Sequence, residues 1–446
     1  MNFIVNVGVY LGPILLVFVA AALIALGLTP VIRWIVLRYD VVDRPDHPRR
    51  INTETVPRGG GLAVSAAFLV VAVIFLGLNR DALWVPIPGT LQPTDVAALL
   101  VGGAVAAALG AIDDLFDLRA RWQLLGQLML AVGAIALGIS IDFISNPFGP
   151  GLILLSGPVA VGFTIFWIVG MINSINWIDG LDGLSSGVAF IAAVTLGIIS
   201  LTTNVAQPLI SVLCFALAGA LLGFLRWNFH PASIFAGTSG VQFVGYTLAV
   251  LAILGTAKVA VALLVLGVPI IDTFWIIVRR LSQRRSPFSP DRTHIHHRLL
   301  DLGLSHRQTV LAIYGITLVL AVLALLLSGV TQLYAFLGVF VAFGLVLFGP
   351  TRGDLARPDE LEAEAYVGEP PRRPGPPRAA ATPGTSSAVP VPMGNGTGPL
   401  GPGTSEIAGP TGPIGAPIPV LGESLADSRL EASAARTATE STPAAR

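Results

Sequence analysis

The chain has 446 residues, 54% of them hydrophobic and 12% charged, with a mean hydropathy of +0.78. Soluble domains carry about one quarter charged residues, so this composition excludes an ordinary soluble globule. Lys plus Arg and Asp plus Glu balance at 26 each, which excludes a globally basic nucleic-acid binder, and the lone Cys214 excludes an intramolecular disulfide.

Apolar runs long enough to cross a bilayer, or nearly so, fall at 9–30, 59–78, 94–112, 122–140, 151–172, 185–202, 208–225, 239–254, 256–278, 309–328 and 330–349. The first lacks a basic flank and is long enough to span, so it reads as a retained helix rather than a cleaved signal. These runs predict an all-α polytopic membrane protein of about eleven transmembrane helices over residues 1–350.

Arginine placement sets the orientation. The segment 31–58 carries Arg33, Arg38, Arg44, Arg49, Arg50 and Arg58, and 279–308 carries Arg279, Arg280, Arg284, Arg285, Arg292, Arg298 and Arg307. The segments 79–93, 141–148 and 203–207 hold almost no positive charge. Positive residues stay cytoplasmic, which puts the N-terminus outside and both arginine-rich loops and the C-terminus inside. That parity requires two spans within 239–278. Residues 351–446 are dominated by Pro, Gly, Ala, Ser and Thr and are too poor in large apolar residues to offset their ordering entropy, so they read as a disordered cytoplasmic tail.

With this topology every unusual polar cluster lies on the cytoplasmic side of a multi-pass cell-membrane protein. Asp113-Asp114 closes the third run, where the helix dipole and mutual repulsion oppose two carboxylates. A divalent cation or a cationic group would offset that cost; pairing with Arg119 or Arg121 is the plainer alternative. Asn173, Asn176, Asp179 and Asp182 recur every third residue, so a helical or 3₁₀ turn would align them on one face. Such oxygens suit Mg²⁺ and also hydrogen-bond a base or ribose. The stretch Ser286–Arg298 places Arg292 among His294, His296 and His297, with His306 beyond, a set suited to holding a pyrophosphate. A zinc site is disfavoured there by the arginines and the lack of cysteine. Gly59-Gly60-Gly61 opens the second run and reads as helix packing or a hinge in preference to an anion-binding helix start. Asp272, near the end of the ninth, is a functional candidate expected to pair with an arginine of the next loop.

These residues resemble the polyprenyl-phosphate N-acetylhexosamine-1-phosphate transferases over roughly residues 40–310. The carriers are Asp113-Asp114 with Gln127, the Asn173–Gly183 stretch, Asn228-Phe229 with Pro231-Ala232, and Ser286-Pro-Phe with Asp291-Arg-x-His-Ile-His-His297. The last motif resembles the branch using UDP-N-acetylglucosamine more than the phospho-MurNAc-pentapeptide translocases. The resemblance implies transfer of HexNAc 1-phosphate from a UDP-HexNAc to a polyprenyl phosphate in the lipid bilayer, with Mg²⁺ (or Mn²⁺) and release of UMP. It implies catalytic roles for Asp113, Asp114, His294, His296 and His297, and substrate contacts for Asn173, Asp179, Asp182, Asn228 and Arg292. Asn176, Asp179 and the residue at 238 are the implied metal ligands. A homodimer is compatible with this reading.

Two departures stand out. Thr238 occupies the position of the family's metal-binding Asp, and Gln123 stands where relatives often carry lysine, with Arg121 nearby. Either Asn176 and the neighbouring aspartates hold the metal with substrate phosphates, or the metal is held weakly, or the chain is an inactive relative acting as a scaffold. A transporter is the rival from another class, disfavoured because the acids sit at helix ends on one side rather than at mid-membrane.

Overall fold

A computed structural model of the chain describes residues 2–43, 55–146, 148–149, 151–201, 207–255, 258–284 and 294–348. The tail 351–446 and the segment 285–293, including Arg292, lie outside the described residues.

The architecture is helical: α1 (Asn2–Arg38), α2 (Gly61–Leu78), α3 (Pro93–Phe116), α4 (Ala120–Ala136), α5 (Gly157–Ile178), α6 (Leu184–Ile199), α7 (Pro208–Asn228), α8 (Gly237–Leu254), α9 (Lys258–Val265), α10 (Gly267–Ser282), α11 (Ile295–Asp301), α12 (His306–Leu326) and α13 (Val330–Phe348). Two short antiparallel pairs join β1 (Val42–Asp43) to β2 (Val56–Pro57) and β3 (Phe143–Ser145) to β4 (Leu152–Leu154).

Seven of these helices are long and apolar enough to cross a membrane, and α9 with α10, bent by 78° around Leu266, makes an eighth if counted as one span. Each of the other three expected spans coincides with a helix, but α4, α6 and α13 fall short: α4 and α6 have 17 and 16 residues, and α13 counts as a shorter apolar helix over Val330–Gly344. Large side chains face outward, with Leu23 62%, Phe166 72% and Leu326 75% exposed, a surface suited to hydrocarbon.

Element boundaries differ from expectation in two places that matter. The fifth span starts at Gly157 rather than 151, because 152–154 pairs with 143–145 as a hairpin; this shift carries Asn173 and Asn176 into the last turns of α5. The third helix runs on to Phe116 rather than 112, so Asp113 and Asp114 close it from within its last turn, as expected.

The core is built on α7 and α8, whose apolar windows are 83% and 78% buried. α1 packs on α7, and α3 and α5 on α8. Small residues make these approaches possible. A Cβ at Gly219 or Gly223 would lie 2.1 Å from the carbonyl oxygen of Phe18 or Ala22 in α1. A Cβ at Gly61 would lie 1.9 Å from the Gly240 Cα, and one at Gly110 2.4 Å from the Ser239 Cα. The glycine run 59–61 is therefore a packing device, in keeping with its sequence: Gly61 draws α2 onto the start of α8, and Gly110 does the same for α3.

Candidate active site

Close approach at Gly61 and Gly110 brings the end of α3 against the start of α8. Asp114, 4% exposed, accepts hydrogen bonds from the backbone N–H groups of Thr238 at 2.7 Å and Ser239 at 3.0 Å. A carboxylate at a helix N-terminus is favoured by the unpaired amides and the dipole. Gly59 (φ +101°) and Gly237 (φ +71°) leave room: a Cβ at Gly237 would lie 2.6 Å from Asp114 Oδ2.

Asp113 is also buried. Its Oδ1 accepts the Leu118 N–H at 2.9 Å, and the Gln123 side chain lies 2.9 and 3.0 Å from its two oxygens. Its side-chain partner is thus a neutral amide, not Arg119 or Arg121. Arg58 pairs instead with Asp117 at 2.6 Å.

The Asn-Asn-Asp-Asp series stays helical only to Ile178, so its four members face different partners. Asn173 donates to Gln127 Oε1 at 2.7 Å and to the Val169 carbonyl. Asn176 lies half-buried one turn later. Asp179 caps α5 and accepts from the Ser185 hydroxyl of α6. Burial pushes the Asp179 carboxyl up to about 6, and the nearby charges of Asp114 and Asp182 push the same way, against the Ser185 bond. Three carboxylates therefore share one region.

Asp182 turns away from them. Its Oδ2 lies 2.7 Å from His230 Nδ1 and accepts the Ala232 N–H at 3.0 Å, while its own N–H donates to His306 Nε2 at 3.0 Å. The three side chains offer ligand atoms within 4.8 Å of one another, a candidate metal cluster. However, His306 Nε2 and His230 Nδ1 are already spent on Asp182, and the two rings stack 4.1 Å apart at 18°, so their nitrogens do not converge on a common point. Arg307 also donates to the His230 carbonyl at 3.3 Å. The trio is better described as a latch joining the α5–α6 turn, the α7–α8 loop and α12. Asn228 braces the same loop from inside, 2% exposed, accepting from Ser186 and donating to the Ile234 carbonyl.

The histidines complete the region. His294, His296 and His297 form one cluster at the start of α11, with His294 and His296 stacked 5.3 Å apart. His296 presses on the acidic turn: a Cβ at Gly180 would lie 2.3 Å from its Nε2. It is 1% exposed, and its Nδ1 makes no hydrogen bond within the described residues. Burial, reinforced by the neighbouring histidines, holds it well below the usual histidine range, so it is neutral. Trp177 meets the edge of His294 at 6.4 Å and carries the Arg280 guanidinium on its face at 5.2 Å. Asp272 pairs with His294, and the next-loop arginines Arg285 and Arg292 that its sequence context suggests lie outside the described residues.

The structure thus brings Asp113, Asp114, Asn173, Asn176, Asp179, Thr238, His294, His296 and His297 to one end of the bundle. The sequence does not single out the pairing of Asp182 with His230 and His306, because it joins residues 48 and 124 positions apart.

The model of the family described as "Glycosyl transferase family 4" matches residues 96–256. The chain is 36% identical to the "Probable undecaprenyl-phosphate N-acetylglucosaminyl 1-phosphate transferase" of Bacillus subtilis, over 75% of this chain and 90% of the relative. It is 34% identical to the "Decaprenyl-phosphate N-acetylglucosaminephosphotransferase" of Mycobacterium leprae, over 69% and 82%. It is 27% identical to the "Undecaprenyl-phosphate alpha-N-acetylglucosaminyl 1-phosphate transferase" of Yersinia pestis, over 66% and 78%.

Proposed function

The chain belongs to the polyprenyl-phosphate N-acetylglucosamine 1-phosphate transferases of glycosyl transferase family 4, and on that premise we propose that it transfers HexNAc 1-phosphate, chiefly GlcNAc 1-phosphate, from a UDP-sugar to a polyprenyl phosphate. The observation that carries this reading is the meeting of Asp114, Asp179 and His296, from three separate elements, around the turn at Gly180.

The lipid phosphate oxygen attacks the sugar-bearing phosphorus; its bond to UMP breaks, UMP leaves, and a polyprenyl-pyrophosphoryl sugar remains. Phosphoryl transfer asks a protein mainly for positioning and charge neutralisation. Asp113 and Asp114 meet the lipid phosphate, where a carboxylate can take the proton of a phosphate monoester. Their hydrogen bonds to Gln123 and to the α8 amides hold them in place for it. His296, with an unused buried nitrogen, and its neighbours His294 and His297 hold the pyrophosphate together with Arg292. Asn173 and Asp182 shape the nucleotide side of the turn, and Asn228 supports it from beneath.

The donor set fits a hard divalent cation. Asp179 has two carboxylate neighbours, and the one hydrogen bond its carboxylate accepts, among the described residues, comes from a neutral hydroxyl. Asp179 and Asn176 would hold Mg²⁺ with the substrate phosphates, Thr238 contributing at most a hydroxyl. Such an ion neutralises charge on the transferring phosphate.

We assign all eleven helical spans to the membrane, α9 and α10 forming one of them, with the N-terminus outside and the site cytoplasmic. The arginine asymmetry between 31–58 or 279–308 and the opposite loops supports this. In the test, purified protein in detergent receives UDP-GlcNAc, polyprenyl phosphate and Mg²⁺. UMP that forms only when lipid phosphate is present supports the reading; UDP as the nucleotide product, or no nucleotide product, refutes it.

A further inference from the structure

Asp272, in the second turn of α10, is 1% exposed and has no part in the chemistry assigned above. Its Oδ2 lies 2.8 Å from His294 Nδ1, and its Oδ1 accepts the backbone N–H of Ile295 at 3.0 Å. One carboxylate therefore grips both the ring of His294 and the peptide next to it. An acid buried at this depth is costly without a partner, and α10 ends with Arg279 and Arg280. Arg280 lies over the Trp177 ring, and among the described residues the side-chain partner of the acid is the histidine.

We propose that Asp272 is a positioning residue that sets the tautomer and direction of His294, a role that rests on the transferase reading of the site. With Nδ1–H donated to Asp272, Nε2 on the far side of the ring is the atom left for the pyrophosphate of the nucleotide sugar. A proton at Nε2 gives a phosphate oxygen a charge-assisted donor, and the carboxylate behind the ring supplies the counter-charge. The bond to Ile295 fixes the first peptide of α11, so the same acid also sets where His296 and His297 begin.

The test is a double-mutant cycle on the full chain, read as UMP release. Asp272→Asn is expected to cost roughly 10- to 100-fold in kcat, as loss of a ligand's supporting carboxylate does elsewhere. In a His294→Gln background it should cost nothing further, because there is no imidazole left to position. Asp272→Glu, which keeps the charge but moves it, should fall likewise while the melting temperature holds. A second readout does not depend on turnover: diethyl pyrocarbonate labelling read by mass spectrometry. In Asp272→Asn the new carboxamide would donate to Nδ1 and put the proton on Nε2, so labelling of His294 should slow several-fold while that of His306 stays constant. Additive losses, or a His294 labelling rate untouched by Asp272→Asn, overturn the proposal. Absence of UMP from the unaltered protein would refute the transferase reading instead, and the labelling would then decide the Asp272–His294 relation by itself.

Discussion

Asp114, near the C-terminal end of α3, accepts the backbone N–H of Thr238, the second residue of α8, at 2.7 Å. The sequence offers Asp114 as a chemical group and position 238 as a metal ligand; in the fold they are hydrogen-bonded neighbours. The carboxylate is both an anchor for α8 and a wall of the site, so its removal has two separable effects.

Asp114→Ala leaves one buried and one partly buried donor without an acceptor, each worth up to about 1–3 kcal/mol. Asp114→Asn keeps an acceptor for one of them. The alanine variant should therefore melt several degrees below the asparagine variant in a thermal-shift assay, while both lose UMP release by roughly 10²-fold or more. Equal melting temperatures would remove the anchoring role.

For Asp179 the sign follows from its carboxyl being raised to about 6 by burial. The folded state holds that proton more tightly than the unfolded chain does, so the group's stabilising contribution is present at low pH and is lost as pH rises through about 6. In metal-free buffer the melting temperature should fall between pH 5 and 7.5. Asp179→Asn should flatten that fall and raise the value at pH 7.5, yet abolish turnover. Mg²⁺ should raise the melting temperature of the unaltered protein at pH 7.5 and leave the variant unmoved.

Gly61→Ala tests the contact that draws α2 against α8. The added Cβ would lie 1.9 Å from the Gly240 Cα, so backbone must shift, at a cost of about 1–3 kcal/mol or more. Because α8 also carries Thr238, activity should fall with stability. Gly27→Ala, which meets nothing within 4 Å, is the control and should change neither.

Much of this is legible in the sequence, for identifiable reasons. Long apolar runs mark helices whatever surrounds them, and each expected span coincides with one, or in the ninth with the bent pair α9 and α10. Asp113-Asp114 and the histidine cluster can be picked out because such groups are expensive in a membrane protein. The hairpin 143–145 with 152–154 is hidden, because its second strand reads Leu-Ile-Leu and passes for the start of a span. The bend at Leu266 is hidden too, since hydropathy is blind to direction. The every-third spacing of Asn173 to Asp182 reads as one face, but the helix stops at Ile178 and Asp182 swings to His230. Pairings such as Asp272 with His294 depend on how α10 packs, and local pattern cannot supply that.

Thr238→Asp adds a carboxylate where α8 begins, beside the acids of α3 and α5. If the threonine weakens cation binding, as its neutral hydroxyl implies, the variant should need less Mg²⁺ for half-maximal UMP release and turn over faster. An unchanged Mg²⁺ titration would show that position 238 lies outside the cation's reach.

The β-phosphorus of the nucleotide sugar reports whether a phosphosugar moves to the lipid. UDP-GlcNAc labelled with ³²P at that position is incubated with purified protein, Mg²⁺ and polyprenyl phosphate, and the organic phase is counted. Label should enter the lipid fraction in equal amount to UMP released and be lost in Asp114→Asn. Label left in the aqueous phase as UDP, with unlabelled sugar on the lipid, would rule out phosphosugar transfer.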